Sequence, residues 1–538
     1  MSAASVSPLT VGDLLDAQAK TREDHPFLIC DEQILTYAEA SERSAALARG
    51  LIALGVGHGS RVGLLHPNGP EFVVAALATA RIGAVSVPLS TFSTAVELRT
   101  LLRNADIEMI LAAPGYRRHD YLTLLPEAVP DLNLHAISPL FSPSVPTLRR
   151  VAYDSPRHTI DQTWTVRSVL DAGQRTSREI LRAAQERVNP SDRLVIVHTS
   201  GSTAEPKGVI HTHGSLVSHL RVLNILRRYD EDEILFCNAP FFWIGGYAYA
   251  LLGTLEAGGT LVCSNAPEAS DVLDVIERTR PTMVNGFAQS VAHLPADPSF
   301  SRRDLRSIRR GNLYPIMTDA VRPADPELVH NMLGMTETGS VCLASDDESV
   351  QPEHRRGSFG RPVSDVEAKI VNPESGAGTG IGEVGELCLR GPALMEGYCG
   401  RERHETFDRD GWYHSGDLFL SDAEGFYYFK GRHGEMIKTS GANVSPREVE
   451  AAIGDETGLV SHVFALDDST SGQVVAAVIR VPTSAAAPDI EQLISNLRNR
   501  LSVYKVPKRI LVIDENEVPM MSSGKLDIRA LKERLGDH

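Results

Sequence analysis

His198-Thr-Ser-Gly-Ser-Thr-Ala-Glu-Pro-Lys-Gly208 is the stretch on which the reading of this chain turns. It follows an apolar strand signal, Leu194-Val-Ile-Val197, and leads into helical spacing from Ser215 to Leu226. Thr199, Ser200, Ser202 and Thr203 supply hydroxyls, Gly201 and Gly208 let backbone come close to a ligand, and Lys207 brings a cation. A loop of this composition can turn N–H groups and hydroxyls toward an anion. A nucleotide phosphate tail suits those donors and the lysine charge. The G-x-x-x-x-G-K-[ST] spacing of a Walker loop is absent.

Outward from this loop, strand and helix signals alternate. Val62–Leu65, Ala84–Pro88 and Ile107–Leu111 read as strands, with helical spacing over Glu71–Ile82 and Val96–Asn104. The alternation resumes with strand signals at Thr260–Cys263 and Pro281–Val284 around a helix at Asp271–Thr279. Such repetition predicts mostly parallel sheets covered by helices. Ser138–Asp161, rich in Pro and Ser, reads as an irregular excursion. From about Gly357 the texture shifts to short strands with glycine turns (Glu367–Val371, Gly385–Leu389, Phe426–Phe429), which predicts a small β-rich subdomain. Beyond Arg432 the pattern becomes α+β. Ser445-Pro-Arg-Glu448 reads as a helix start with a serine cap and a glutamate three residues on. Strand signals at Val460–Leu466, Val474–Val481 and Arg509–Ile513 bracket a helix at Ile490–Leu501. The domain boundary is placed at Arg432–Glu435, dividing residues 1–431, a hinge at 432–435, and residues 436–538.

At 538 residues, two or more domains are expected. A hydrophobic fraction of 42% with 23% charged residues is that of an ordinary soluble protein. The formal net charge of −16 disfavours non-specific nucleic-acid binding. The basic stretch Ser301–Arg310 reads as a solvated helix face. Cysteines at 30, 237, 263, 342, 388 and 399 form no C-x-x-C pair and no zinc spacing. The N-terminus lacks the features of a signal peptide, and no apolar run reaches the ~18 residues of a membrane span. A cytoplasmic location is the expectation, and homo-oligomerisation stays open.

The loop resembles the phosphate loop of the adenylate-forming superfamily, which comprises acyl-CoA synthetases, adenylation domains of peptide synthetases and beetle luciferases. Further blocks follow in that family's order: Leu333-Gly-Met-Thr-Glu-Thr338, Gly382-Glu-Val-Gly-Glu386, Gly411-Trp-Tyr-His-Ser-Gly-Asp417, Lys430-Gly-Arg432, Lys438-Thr-Ser-Gly-Ala-Asn-Val-Ser-Pro446 and Ser522-Ser-Gly-Lys525. Leu35-Thr-Tyr-Ala-Glu-Ala40 and Pro67-Asn-Gly-Pro-Glu71 resemble it too, so the likeness spans nearly the whole chain. It implies an α/β fold: a large N-terminal domain of two mostly parallel helix-covered sheets with the β-rich subdomain, and a smaller mobile α+β C-terminal domain.

The resemblance also implies the chemistry. A carboxylic acid is activated with ATP to an acyl adenylate, releasing pyrophosphate, and the acyl group passes to a thiol. Both reacting partners are anions, so the phosphates need a metal and cations. Thr199, Ser200, Gly201, Ser202, Thr203 and Lys207 match the cradle. Thr199 and Glu337 match the residues that hold Mg²⁺, and a hard carboxylate oxygen suits that ion. Leu333, Gly334, Met335 and Thr336 match the segment beside the nucleotide. Asp417 matches the acceptor for both ribose hydroxyls, with Arg432 on the other side of the sugar. Lys525 matches the lysine that bridges carboxylate and α-phosphate. Lys438, Ser440 and Gly441 match the pantetheine tunnel of bound CoA, while His211 and His213 are read as framework.

This chain departs from the pattern in several places. His198 and Leu333 stand where aromatics are usual, and Arg310-Gly-Asn-Leu-Tyr-Pro315 replaces a Gly-Gly-Ala-Pro segment. On the acyl side, Pro240-Phe-Phe-Trp-Ile-Gly-Gly246 is apolar, with Trp243 where histidine is common. Phe242, Trp243, Gly245, Asn285 and Gly311 are the expected acyl-pocket residues, with core packing the competing account of the aromatics. The leading expectation is a CoA ligase for a medium or long fatty acid, or a bulky alicyclic or aryl acid, in lipid metabolism. An acyl-AMP ligase that loads a carrier-protein thiol and a non-catalytic nucleotide-binding relative are the alternatives.

Overall fold

The computed structural model describes residues 10–154, 160–199, 206–432, 437–439, 441–468, 472–482, 486–519 and 528–536. The chain divides into two compact units. One holds Met1–Thr91, Leu101–His198 and Gly208–His433; the other holds Phe92–Thr100, Thr199–Lys207 and Gly434–His538.

The first unit is built on two helix-covered sheets. In the seven-stranded sheet, Arg61–Leu65 lies between Val85–Pro88 and Met109–Ala112, in parallel with both. Arg193–Thr199 and then Lys207–Thr212 extend it on one side. The six-stranded sheet runs Arg310–Gly311, Met283–Val284, Ile234–Phe236, Thr260–Cys263, Pro26–Cys30 and Gln33–Thr36, parallel except for its last pair. Val85–Pro88, Met109–Ala112 and Thr260–Cys263 are buried at every position. Helices on both faces require this, and it explains the unbroken apolar runs.

Local sequence starts several helices. In Tyr37–Ala53, Thr36 Oγ1 accepts from the Glu39 N–H at 3.2 Å while Glu39 Oε2 accepts from the Thr36 N–H at 3.0 Å, a reciprocal cap. Thr212 and Ser215 cap His213–Leu226 in the same way. Pro70–Arg81 begins on a proline, where its missing N–H costs nothing, and is buried around nearly its whole circumference. The β-rich part is a four-stranded antiparallel sheet of Glu367–Val371, Gly385–Arg390, Tyr413–Ser421 and Tyr427–Arg432.

In the second unit, helices Pro446–Thr457 and Ile490–Arg500 cover a mixed sheet around Ile437, Val449, Ile453, Val475, Ile479 and Leu497. This unit also buries an ion cluster. Lys505 Nζ donates to Glu97 Oε1 at 2.9 Å and to Glu448 Oε1 at 2.8 Å, and Ser502 Oγ donates to Glu97 Oε2 at 2.7 Å. Burial works to raise the Glu97 carboxyl, but the Lys505 charge and bonds from Thr94 and Ser502 outweigh it and hold it below its ordinary value. Burial and the neighbouring Glu97 raise Glu448. Lys505 is raised well above the usual lysine range because its carboxylates outweigh its desolvation.

Three sequence expectations are corrected. The excursion at 138–161 contains a strand, Arg150–Tyr153, that pairs in parallel with Met109–Ala112 and ends the seven-stranded sheet. Ser301–Arg310 is not a helix face: it folds as short turns, and four of its arginines, Arg303, Arg306, Arg309 and Arg310, are paired. Arg303 reaches Glu277 at 3.0 Å, and Arg310 reaches Glu233 at 2.9 Å. The predicted cap on Pro446–Thr457 is not made. Ser445 Oγ has no hydrogen-bond partner among the described residues, and Glu448 is taken by Lys505. Among the described residues no helix is long and apolar enough to cross a membrane.

Candidate active site

Thr199 ends the strand Arg193–Thr199 and Lys207 opens Lys207–Thr212, both half-buried and on neighbouring strands. Ser200, Gly201, Ser202 and Thr203 lie outside the described residues, as do Ser440, Lys525 and the Arg432 side chain. A Cβ on Gly208 would stand 2.9 Å from Ile196 and 3.0 Å from Cys399, so the packing beside the loop's end has room only for glycine.

The Leu333–Met335 strand delivers the Thr336–Thr338 turn. Glu337 Oε1 accepts from Tyr398 Oη at 2.8 Å, and its carbonyl accepts from the Met395 N–H at 2.8 Å. Tyr398 Oη also lies 3.1 Å from Tyr413 Oη. Burial, then the Glu337 charge, push the Tyr398 phenol up, so it stays a neutral donor. The turn is gripped from the other side by His211, whose Nε2–H donates to the Thr336 carbonyl at 2.7 Å. Burial lowers His211 to about 4, which keeps the ring neutral. His211, read from sequence as framework, is therefore a support of the Thr336–Glu337 turn. Leu333 is buried in the core cluster, with Gly334 exposed and Met335 and Thr336 half-buried.

Asp417 is buried on Tyr413–Ser421, and register places it opposite Arg432. Its N–H donates to Ser415 Oγ at 3.1 Å, and that hydroxyl donates to the Leu387 carbonyl at 2.7 Å. Glu386 Oε1 accepts from the Gly416 N–H at 2.9 Å, and Glu386 Oε2 lies 2.9 Å from His414 Nδ1. With Cys388 these form the one close set of metal-ligand atoms among the described residues, all within 4.8 Å of one another. Burial and Glu386 push the Cys388 thiol up to about 12, so it stays protonated. The set is a hydrogen-bonded brace behind Gly416 and Asp417.

Among the residues expected to line an acyl pocket, Trp243 packs edge-on between Phe242 and Phe287, with ring centroids 5.5 and 5.6 Å away. The chain then winds into a π-helix at Gly245–Leu252. A Cβ on Gly245 would meet open space, whereas one on Gly246 would collide with the Pro240 carbonyl at 2.1 Å. Gly311 has φ 131° and lies against the Val284 carbonyl, which a Cβ would approach to 1.9 Å. Asn285 is buried and its Nδ2 lies 3.5 Å from Asn312 Oδ1, while Asn312 makes two 3.0 Å bonds to the Gly286 backbone. Asn312 and Tyr398 carry no local signal in the sequence, because each acts on a partner distant along the chain. In the second unit, Gly441 turns at φ 85° between Ile437–Thr439 and Ala442–Val444, and the exposed Lys438 donates its N–H to Gln473 Oε1 at 2.9 Å.

The structure thus carries a half-buried carboxylate held at one oxygen, a buried carboxylate opposite Arg432 in strand register, and a cluster of three aromatic rings. The chain belongs to the AMP-binding enzyme family, whose profile matches residues 15–399, and so to the adenylate-forming enzymes. It is 32% identical to a feruloyl-CoA synthase of an Amycolatopsis species, over 93% of this chain and 94% of that one. It is 28% identical to a mitochondrial medium-chain acyl-CoA ligase of Bos taurus, over 99% of this chain and 88% of that one. Its fold matches o-succinylbenzoate CoA synthetase of Bacillus subtilis with a TM-score of 0.76 at 25% identity, covering 98% of both chains. It matches an amide bond synthetase of Marinactinospora thermotolerans with a TM-score of 0.80 at 23% identity, covering 98% of this chain and 99% of that one.

Proposed function

We propose that this adenylate-forming enzyme is an acid–thiol ligase that joins a hydrophobic carboxylic acid to CoA through an acyl adenylate. The observation that carries the reading is the Thr336–Glu337 turn, fixed by His211 on one side and Tyr398 on the other. Such bracing suits a carboxylate that must hold Mg²⁺ in one place beside a triphosphate. Thr199 and Glu337 would hold the ion, which would neutralise phosphate charge. Asp417 would receive the ribose hydroxyls, Lys525 would meet the acid's carboxylate and the α-phosphate, and the Lys438–Gly441 turn would line the path of pantetheine. In the first step the carboxylate oxygen attacks the α-phosphorus and pyrophosphate leaves. In the second the CoA sulfur attacks the acyl carbon, its proton passes to solvent, and AMP leaves.

Support for a CoA acceptor comes from the feruloyl-CoA and medium-chain acyl-CoA relatives. The Phe242–Trp243–Phe287 wall favours a flat or unbranched apolar acid. The test offers ATP, Mg²⁺ and CoA with octanoate, benzoate and ferulate, and reads products by mass spectrometry. Acyl-CoA is the expected product. Acyl-AMP that accumulates with CoA present would instead point to a carrier-protein thiol or an amine as acceptor.

A further inference from the structure

Pro67-Asn-Gly-Pro-Glu71 has no part in the chemistry above, yet its asparagine makes an unusual contact. Pro240 has no N–H of its own, and the Ala239 carbonyl and Phe241 N–H that flank it lie outside any strand and need a partner. Asn68 supplies one: its Nδ2 donates to the Ala239 carbonyl at 3.0 Å, and its Oδ1 accepts from the Phe241 N–H at 2.8 Å. One side-chain amide thus closes both sides of the proline, as a neighbouring strand would. Asn68 is itself anchored, because its carbonyl accepts from Asn265 Nδ2 at 2.6 Å and from Cys30 Sγ at 3.5 Å. Asn265 in turn accepts from Tyr116 Oη at 3.2 Å. Phe72, on the helix that follows Asn68, packs against Phe241 with centroids 5.4 Å apart.

The contact continues into the acyl wall. The Pro240 carbonyl accepts from the Trp243 N–H at 3.0 Å, and the Trp243 carbonyl accepts from the N–H groups of Gly246 and Tyr247 at 3.0 and 2.8 Å. A short hydrogen-bonded chain therefore runs from Asn68 through residues 239–241 to Trp243 and the entry of the π-helix. We infer that Asn68 is a positioning residue for acid selection, setting the placement of Trp243 against the acyl group without touching substrate. This rests on the acyl-wall reading proposed above.

The test uses the full chain with Asn68→Ala, and Trp243→Ala in parallel. Adenylation is followed by pyrophosphate release with octanoate, benzoate and ferulate, and KM is measured for each acid and for ATP. Losing the paired bonds is expected to raise KM for the best acid about tenfold and to change the order of preference. KM for ATP should stay within about twofold, a split that general destabilisation would not produce. Should Asn68→Ala not fold, Asn68→Asp carries the same test, because it keeps the acceptor for Phe241 and turns an oxygen toward the Ala239 carbonyl. An equal rise in KM for ATP overturns the inference. So does an unchanged acid order in the Asn68 variants when Trp243→Ala changes it, which leaves the acyl wall standing. If neither substitution alters acid preference, the wall reading fails and this inference fails with it.

Discussion

Tyr398→Phe removes one oxygen from a ring that is 6% exposed and leaves its volume in place. That oxygen makes a 2.8 Å bond to the Glu337 carboxylate and lies 3.1 Å from Tyr413 Oη. A bond to a charged acceptor contributes roughly 1.5–3 kcal/mol and a neutral one about 1 kcal/mol. Glu337 is half-buried, so water restores part of what its carboxylate loses. The net cost to stability is expected at about 1–2 kcal/mol. A carboxylate released from its tether samples orientations useless to the metal, so kcat/KM for MgATP should fall about tenfold, the equivalent of about 1.4 kcal/mol. The Mg²⁺ concentration for half-maximal rate should rise, with KM for the acid little changed. Pyrophosphate release with Mg²⁺ titrated at fixed ATP reads this directly, beside a thermal melt. A lower Tm with the Mg²⁺ dependence unaltered would refute the reasoning and leave Tyr398 as packing.

Asp417→Ala should weaken ATP binding by roughly 1.5–3 kcal/mol with the fold intact; unchanged affinity in calorimetry removes Asp417 from the site. Lys525→Ala should block acyl-AMP formation yet still turn supplied acyl-AMP and CoA into thioester, whereas Gly441→Leu, at φ 85°, should do the reverse. Loss of the same half-reaction in both variants would defeat that division. Lys505→Met strands two buried carboxylates and should cost on the order of 3–5 kcal/mol, more than Glu97→Gln, which leaves Lys505 paired with Glu448. The opposite order in urea unfolding would sink the account of the cluster. His211 and His213 are both lowered to about 4 by burial. A pKa depressed in the folded state contributes stability that is complete above the unfolded value of 6.5 and is lost as pH falls toward 4. His211→Leu should therefore flatten the pH dependence of stability between 6.5 and 5 by about 1 kcal/mol per pH unit; an identical slope in the variant would contradict it.

Strands buried on both faces declare themselves as apolar runs, and glycine or proline marks their ends, so Arg61–Leu65, Val85–Pro88 and Thr260–Cys263 were legible in the chain. Arg150–Tyr153 was not. Four residues in a Pro- and Ser-rich setting carry too little local signal, and their partner lies some forty residues earlier. Ser445-Pro-Arg-Glu448 has the composition of a cap, yet Glu448 is drawn to an ammonium near the other end of the unit, which local reading cannot foresee. The same holds in the site. Glu337 and Asp417 stand out through their neighbours in sequence, whereas Tyr398, His211 and Asn68 act on residues 61, 125 and 171 positions or more away.

The strand Lys207–Thr212 has a consequence for which changes of length the chain can accept. It starts at Lys207, the end of the loop read as a phosphate cradle, pairs Val209 with Tyr398, and sends His211 to the Thr336 carbonyl. One residue added or removed within it would turn His211 to the opposite face and shift Tyr398 relative to Glu337 in the same event. Insertions there should be far less tolerated than in the Pro- and Ser-rich stretch before Arg150, where no side chain of the site is tied to the backbone. Those six residues act as a ruler: their length sets the spacing between the loop proposed to grip a nucleotide's tail and the carboxylate proposed to hold its counter-ion.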